Sequence, residues 1–559
     1  MPCLFRCGRL LVSSSFIAAL CLNTGQVHAN PGLPLLREQQ RESQEFERQQ
    51  RLRRLSPAVI GTPAENTPSA ADAKHCWPIS GVRLAGNTLI DSSVLDNSLE
   101  VLLEPCMSEA QINGVLKAIT RLYVERGYLA SRPYLANPLV AGGPLDILIV
   151  EGFVESVEFD DAQLPLSLSR AFPDLVGQPL TLMALEQGLA QMNRLQSFEL
   201  SADLEPGDLQ GGTRVMIRSK RSRASRLSGL SDVNNFGSYT TGRGQTALVL
   251  GMDSPLQQND FAQVLSMSNL PGGPGEVRGH GLRYSIPHGP WLFSLSADRL
   301  RYQVPLFKSR YVSHGRTEVS SMTLERAIWH YQTIALGSSV RLSRKHMDSR
   351  FSGSTISLQS STHTVFDADI NLSWRNHSLW QATLGYSQGL PLFGADTQTV
   401  TPHAPRPQFR KYRATLWQLH ESLDPALRWR WVSELNLQYS PDPLHPLEQI
   451  AVGDGSAVRG FRDSGVSGAS GAVWRNTLSL PLNTGLPLEI RPNLGLDAGW
   501  SRFDHGAPSQ RLLGMSVGLE LSRPDARLRL DYQRPLHNDS TPRDALEPGH
   551  WRAQLTLVF

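Results

Sequence analysis

Ile490-Arg491-Pro492-Asn493-Leu494-Gly495-Leu496-Asp497-Ala498-Gly499-Trp500 reads as a strand whose two faces differ in kind. Ile490, Leu494, Leu496, Ala498 and Trp500 fall on one face, broken only by Pro492. Arg491, Asn493, Gly495, Asp497 and Gly499 fall on the other. The same period of two recurs from about Ser225 onward, where helical patterns vanish and turns such as Pro271-Gly272-Gly273-Pro274-Gly275 punctuate the chain. Leu427, Trp429, Trp431, Leu435, Leu437 and Tyr439 oppose Arg428, Arg430, Glu434, Asn436 and Gln438. Leu513, Met515, Val517, Leu519 and Leu521 oppose Gly514, Ser516, Gly518 and Glu520, and Leu528, Leu530 and Tyr532 oppose Arg527, Arg529, Asp531 and Gln533. The chain closes on Trp551, Ala553, Leu555, Leu557 and Phe559 against Arg552, Gln554, Thr556 and Val558. A soluble β-sandwich also alternates, but its polar face meets outer solvent while its apolar face closes a core. Here the polar faces carry many charges suited to a wet lumen. Residues 223–559 are therefore expected to form an all-β transmembrane barrel of about 16 antiparallel strands, at roughly 10 residues per strand plus turns.

Composition is compatible with that reading. The 559 residues hold 54 Lys+Arg against 51 Asp+Glu, so there is no basic footprint of the kind that binds nucleic acid. A mean hydropathy of −0.25 and 19% charged residues would also fit a soluble protein. A membrane barrel, however, places a polar residue at every second position and never accumulates a long apolar run. One long apolar segment exists, running from Leu10 to Leu22 behind Arg6 and Arg9, and Val27-His28-Ala29 then offers small residues for a signal peptidase. Residues 1–29 are expected to be a cleaved signal peptide; as a membrane anchor the apolar core is shorter than the roughly 20 residues a spanning helix needs. Cys3, Cys7 and Cys21 would leave with it. Cys76 and Cys106 remain as a candidate disulfide in an oxidising compartment, with two unpaired buried thiols as the alternative. Neither a CxxC motif nor a His/Cys cluster points to a metal, and neither a P-loop nor a nucleophile–base arrangement points to catalysis, so no catalytic residue, metal or cofactor is expected.

The segment between export signal and barrel divides further. Residues 30–54 are dense in Arg, Glu and Gln, with pairs such as Glu38–Arg41 and Glu47–Arg51 at helical spacing. This is either a solvated arm or a polar N-terminal plug helix sitting in a hydrated pore. Residues 55–75 lack periodicity and read as a flexible linker. Residues 76–154 read strand, helix, helix, strand, strand. Ser108-Glu109-Ala110-Gln111 is a capping box that opens a helix with Ile112, Val115, Leu116, Ile119, Leu122 and Tyr123 on one face, and Gly127 closes it. Residues 155–222 repeat the pattern around Leu185–Leu195 and the strand Thr213–Arg218, so the pair forms an internal repeat of small α/β modules.

The two modules look like POTRA domains, and the run from Leu180 through LEQGLAQMNRLQS to Pro206-Gly207 resembles the second POTRA of two-partner secretion transporters. A further likeness lies at Gly453–Gly468, a segment too rich in Gly and Ser to be strand or helix, which contains Val458-Arg459-Gly460-Phe461. This VRGF loop (453–470), followed by a strand carrying Asp497 and Gly499 as D-x-G, resembles the FhaC/ShlB/HecB/CdiB type of transporter (TpsB) in the BamA superfamily. In that family the loop arginine reaches the strand aspartate across the lumen, so the resemblance implies a loop latch between Arg459 and Asp497. The family prefers an aromatic two residues before the aspartate, where this chain has Gly495. The stretch Asp232–Arg243 resembles the start of such barrels, as does the neighbourhood of Asn259-Asp260 a strand later. Phe559 resembles the C-terminal signal read by the barrel assembly machinery.

The resemblance implies a protein of the Gram-negative outer membrane with periplasmic POTRA domains, embedded in outer-membrane lipid and acting as a monomer. It would export a large, unfolded partner protein: an adhesin, a cytolysin or a contact-dependent-inhibition toxin. The alternative within the superfamily is an assembly factor that inserts other barrels. Such factors usually carry more POTRA modules and lack a plug helix, and a passive porin has no use for POTRA modules at all.

Overall fold

The computed structural model describes residues 60–61 and 76–559, apart from 221–224, 306–310, 332, 400–403, 423, 425–427, 464, 483–484, 486 and 505. The expected signal peptide, N-terminal helix and most of the linker lie outside the described residues.

The first α/β module is built on a three-stranded sheet in the order Val82–Ala85, Leu145–Val150, Arg132–Leu135, the first pair parallel and the second antiparallel. Two helices, Ser92–Leu99 and Glu109–Glu125, cover one face. The longer helix starts as the sequence predicts: the Ser108 hydroxyl accepts from the Gln111 backbone N–H, and the Gln111 side chain accepts from the Ser108 N–H. Its face of Ile112, Val115, Ile119 and Tyr123 is buried against Leu145, Ile147 and Ile149. Gly127, at φ +89°, ends it in the left-handed region that glycine adopts freely. Cys76 and Cys106 are joined in a disulfide across the small antiparallel pair Cys76–Pro78 and Cys106–Ser108, with 5.4 Å between Cα atoms. Closing a loop of 30 residues contributes about 3.6 kcal/mol in the chain-entropy view.

The second module has a four-stranded sheet in the order Ile60–Gly61, Leu200–Pro206, Gly212–Ser219, Phe153–Phe159. Two expectations change here. Strand Phe153–Phe159 pairs with Gly212–Ser219, and Val154 belongs to the second core, so the junction lies at Gly152 and not after residue 154. Residues 60–61 of the expected linker are a strand, paired in parallel with Ala202 and Asp203. Lack of periodicity did not exclude strand addition, because two residues can add to an existing edge through main-chain bonds alone.

The remaining chain forms a closed barrel of 16 antiparallel strands, from Leu227–Asn234 to His550–Val558, plus a two-residue extension at Ser354–Thr355. The first and last strands close it through the register Leu230↔Val558 to Asn234↔Gln554. Phe559 continues this seam, exchanging main-chain hydrogen bonds with Gly229 (2.6 and 2.9 Å) and laying its ring where a Gly229 side chain would stand. The alternation does what the pattern requires: Leu494 and Leu496 are exposed on the outer wall, while Asp497 is buried inside. The 440–469 connection, longer than the expected 453–470 loop, folds into the lumen and carries its own short hairpin, Ile450–Gly453 with Val466–Gly468.

The second module is fastened to one rim of the barrel. Asn259, in a rim turn, exchanges hydrogen bonds with Ser167 (2.8 and 2.7 Å). The buried Arg194 donates to the Asn259 carbonyl (2.8 Å) and the Ser285 hydroxyl (3.2 Å). Ser197 donates its N–H and hydroxyl to Asp253 at 2.7 and 2.6 Å.

Glu151 ties the first module together. Its carboxylate accepts from the N–H groups of Thr88 and Leu89 (2.8 Å each), the Thr88 hydroxyl, and the Tyr123 hydroxyl at 2.7 Å. Burial alone would raise its pKa, but these donors outweigh it and hold the carboxyl below its usual range. A lowered folded-state pKa contributes stability that is present above the unfolded carboxylate value, about 4.3, and is lost as pH falls through the folded value. Glu151→Gln is expected to lower the urea stability of the 76–222 fragment by about 1–3 kcal/mol at pH 7. It should also flatten the dependence of that stability on pH below about 5, as followed by circular dichroism.

Candidate functional site

The inward loop brings the VRGF residues to the middle of the lumen, against strands Ser470–Ser479, Glu489–Arg502, Ser509–Ser522 and Ala526–Asn538. Arg459 and Asp497 are both 1% exposed. Arg459 donates Nε to Asp497 Oδ2 (2.7 Å), Nη2 to Oδ1 (2.5 Å) and its own backbone N–H to Oδ2 (2.9 Å). The rest of the fork is also used: Nη1 donates to the hydroxyls of Thr477 and Ser516 at 3.1 Å each, and Nη2 to the carbonyl of Asn476 at 2.5 Å. All five guanidinium N–H groups therefore have acceptors. Arg475 stands 3.8 Å from the same carboxylate and donates to the Ser456 carbonyl at 2.9 Å.

Close approach of loop to wall depends on missing side chains. A Cβ on Gly495 would stand 2.0 Å from Arg459 Nη1, and one on Gly499 would stand 2.3 Å from Val452 and 2.7 Å from Val458. Where the family prefers an aromatic, the guanidinium itself lies over the bare backbone of Gly495. Gly460 has φ +96° and packs on the main chain of Arg534 and Pro535, so it needs both the conformational freedom and the small size of glycine. Val458 and Phe461 flank the arginine in a buried cluster with Val452, Ala457, Val473 and Leu512. Apolar residues on the lumen wall, Val473 and Leu512, thus receive the loop.

Several contributors were not singled out from sequence. Gly514, Ser516 and Thr477 hold the arginine's surroundings, and the alternation did place Gly514 and Ser516 on the lumen face. Arg552 stacks over the Phe236 ring at 3.5 Å and donates to the Gly455 carbonyl. Glu547 accepts from the N–H groups of Arg462 (2.8 Å) and Asp463 (3.2 Å). Through these contacts the loop tip touches the last strand and the turn that leads into it. Among the described residues no group of three or more His, Cys, Asp and Glu is arranged to hold a metal ion. What the site offers is a charged, directional clasp between a loop and a wall.

Comparison with known proteins gives three overlapping findings. The profile of the haemolysin secretion/activation proteins ShlB/FhaC/HecB matches residues 211–521. Profiles of ShlB-type POTRA domains and of POTRA domains match 77–152 and 153–206. The chain is 31% identical to the hemolysin transporter protein ShlB of Serratia marcescens over 92% of each chain, and 31% identical to the hemolysin transporter HpmB of Proteus mirabilis over 94% of each. Among solved structures, CdiB from Escherichia coli superposes with a TM-score of 0.82 at 25% identity, covering 95% of this chain and 99% of that one.

Gly514→Ala places a methyl 1.8 Å from the Arg459 carbonyl oxygen. Overpacking of that kind costs about 1–3 kcal/mol, here against the seated loop and not against the strand ladder. The variant is expected to keep the heat-modifiable gel migration of a closed barrel while raising resting conductance in planar bilayers. Gly506→Ala, at a position with nothing within 4 Å, serves as the silent control.

Proposed function

The chain belongs to the haemolysin secretion/activation family ShlB/FhaC/HecB, and from that premise we propose how its parts export a partner protein and how its lumen loop takes part. It is an outer-membrane protein of a Gram-negative bacterium with its POTRA modules in the periplasm, and its function is two-partner (type V) secretion. Export, not the insertion of other barrels, is what the family match over 211–521 supports. The cargo is a large exoprotein of the adhesin, cytolysin or contact-dependent-inhibition toxin class, delivered unfolded to the POTRA modules.

The order of events follows from the fold. An extended chain adds to a POTRA sheet edge, where main-chain bonds give affinity without demanding a sequence. Residues 60–61 already use that mode along Ala202 and Asp203, which supports an edge receptive to parallel addition. The cargo then threads the barrel once residues 33–54 have left the lumen, and folding outside supplies direction in a compartment without ATP. The protein's own contribution is positional and electrostatic; it needs no catalytic chemistry.

The observation that carries the loop's role is the buried fork between Arg459 and Asp497. Removing one partner of a buried ion pair costs about 3–5 kcal/mol, because the other charge is left without a counterpart or water. That is enough to shift the loop between seated and unseated positions by roughly a hundredfold or more. The clasp holds the loop in the secretion-competent arrangement, with Val458, Gly460, Phe461 and Gly499 shaping its seat. Arg459→Ala is expected to insert normally into the outer membrane, judged by heat-modifiable migration, and to lose partner release into the medium. Normal release would overturn the role. Deletion of residues 33–54 is expected to raise ion conductance in planar bilayers; unchanged currents would rule out a plug.

A further inference from the structure

The lumen loop has a second charged attachment, far round the wall from Asp497. Glu448, at the start of the inward excursion, is 1% exposed, and its carboxylate is held between two lysines. Lys345 Nζ lies 2.6 Å from Oε1, and Lys411 Nζ lies 2.7 Å from Oε2 and 3.2 Å from the Glu448 carbonyl. Lys345 belongs to strand Ile334–Phe351 and Lys411 to strand Arg410–Glu421, the seventh and tenth strands of the barrel, whereas Asp497 is on the thirteenth. Gln438 completes the attachment by donating to the carbonyls of Glu448 (2.9 Å) and Ala469 (3.1 Å), which lie at the two ends of the excursion. Neighbouring loop residues follow the same wall. His445 Nε2 is 3.0 Å from the Ser361 hydroxyl, and Leu447 packs on Val277, Leu300, Tyr302 and Val304.

We propose that Glu448, clamped by Lys345 and Lys411, is a second positioning residue of the lumen loop, so that the loop is a crossbar tied at both ends. The inference rests on the reading of the loop as the movable element of the export route. It differs from that reading in placing half of the control on a wall that the VRGF motif never touches.

Three features favour this over a merely structural ion cluster. The contacts are long in sequence, 103 and 37 residues apart, and both join loop to barrel, not strand to strand. Strand Ile334–Phe351 is independently held by main-chain ladders to both neighbours, with Lys345 itself paired to Val319 and His363, so the wall does not need Glu448 to close. A carboxylate excluded from water with an ammonium on each oxygen also specifies one position of the loop. Displacement by one side-chain length would take the bridging carboxylate away from two lysine ammoniums held close together.

The crossbar form has a consequence for export. Releasing Asp497 alone frees the tip while the base stays against the seventh and tenth strands, so the loop would swing and not leave. Cargo would then pass a loop hinged at Glu448. Full withdrawal requires breaking both attachments.

The test uses full-length protein in intact cells, with Leu444→Cys as a reporter in the buried loop base, Ala457→Cys as a separate reporter in the buried tip, and a membrane-impermeant maleimide as the probe. Glu448→Gln is expected to raise the labelling rate of the base reporter at least about tenfold while leaving heat-modifiable migration unchanged. Glu448→Asp, which keeps the charge, is expected to restore most of the protection. If Glu448→Gln lowers the yield of folded barrel, Lys345→Gln removes one ammonium only and carries the same expectation at smaller amplitude. Labelling within twofold of the parent in the assembled variant would overturn the second attachment. Arg459→Ala is labelled in parallel through the tip reporter: a rise there with none at the base of Glu448→Gln sinks the crossbar and leaves the Arg459–Asp497 clasp standing. No rise in either variant removes the clasp as well.

Discussion

A guanidinium at the middle of a membrane barrel must find an acceptor for every N–H, and the seating of the lumen loop turns on Arg459 finding them. Asp497 supplies both carboxylate oxygens, Thr477 and Ser516 supply hydroxyls, and Asn476 supplies a carbonyl. Burying an ion pair brings little net stability, since desolvation offsets most of the attraction. What it brings is discrimination. A loop withdrawn by a few ångströms would keep the desolvation and lose the partners, so half-seated arrangements are disfavoured against both extremes. Such a clasp suits a two-position element better than a continuous spring.

The wall had to be thinned to let that clasp form. Gly495, Gly499 and Gly514 line the path of the loop backbone, and each would place a Cβ within 2.3 Å of a loop atom. On a strand facing a water-filled lumen, glycine weakens the ladder and packs nothing, so its repetition on one face signals close approach by another backbone. The departure from the family's aromatic at 495 acquires a physical meaning here. The arginine occupies the volume an aromatic ring would need, and its contacts to Ser516 and Thr477 secure it from the sides.

Much of this was legible in sequence because period-two alternation and glycine placement are local signals. The strand 490–500, its lumen face and the pairing of its aspartate with a loop arginine could be read from residues and resemblance alone. The five-acceptor cage could not. Thr477 and Ser516 are ordinary polar residues on ordinary lumen faces, and only the register with Asp497's strand brings them beside the guanidinium. Glu448, Lys345 and Lys411 were invisible for the same reason, since no spacing links residues 103 and 37 positions apart. The apolar lumen residues Val473 and Leu512 contradict a uniformly polar interior and make sense only with a loop against them. By contrast, the resemblance in LEQGLAQMNRLQS gains a cause from the structure. Gly188 leaves room for the Phe172 ring, Gln191 donates to the Gly289 carbonyl at 3.1 Å, and Arg194 reaches the Asn259 turn and Ser285 on the strand Glu276–His288, so the run is the docking surface of the second module on the barrel.

That docking decides where motion can reside. The two modules are themselves joined by main-chain bonds, from Leu129 to the Leu180 carbonyl and from Leu182 to the Gly127 carbonyl at 3.4 and 2.8 Å. The second module is bonded in turn to the barrel rim through Asn259, Asp253 and Arg194. Module, module and wall therefore form one continuous hydrogen-bonded body, in which hinging would break several buried polar contacts at once. The 440–469 excursion differs in kind. Its hairpin joins no barrel strand, and side chains make most of its ties to the wall. Side-chain clasps can open singly, whereas a strand ladder opens only as a whole. A transporter that must pass a polypeptide without losing its barrel is thus served by concentrating its movable contacts in a loop with two polar attachments and a small apolar seat.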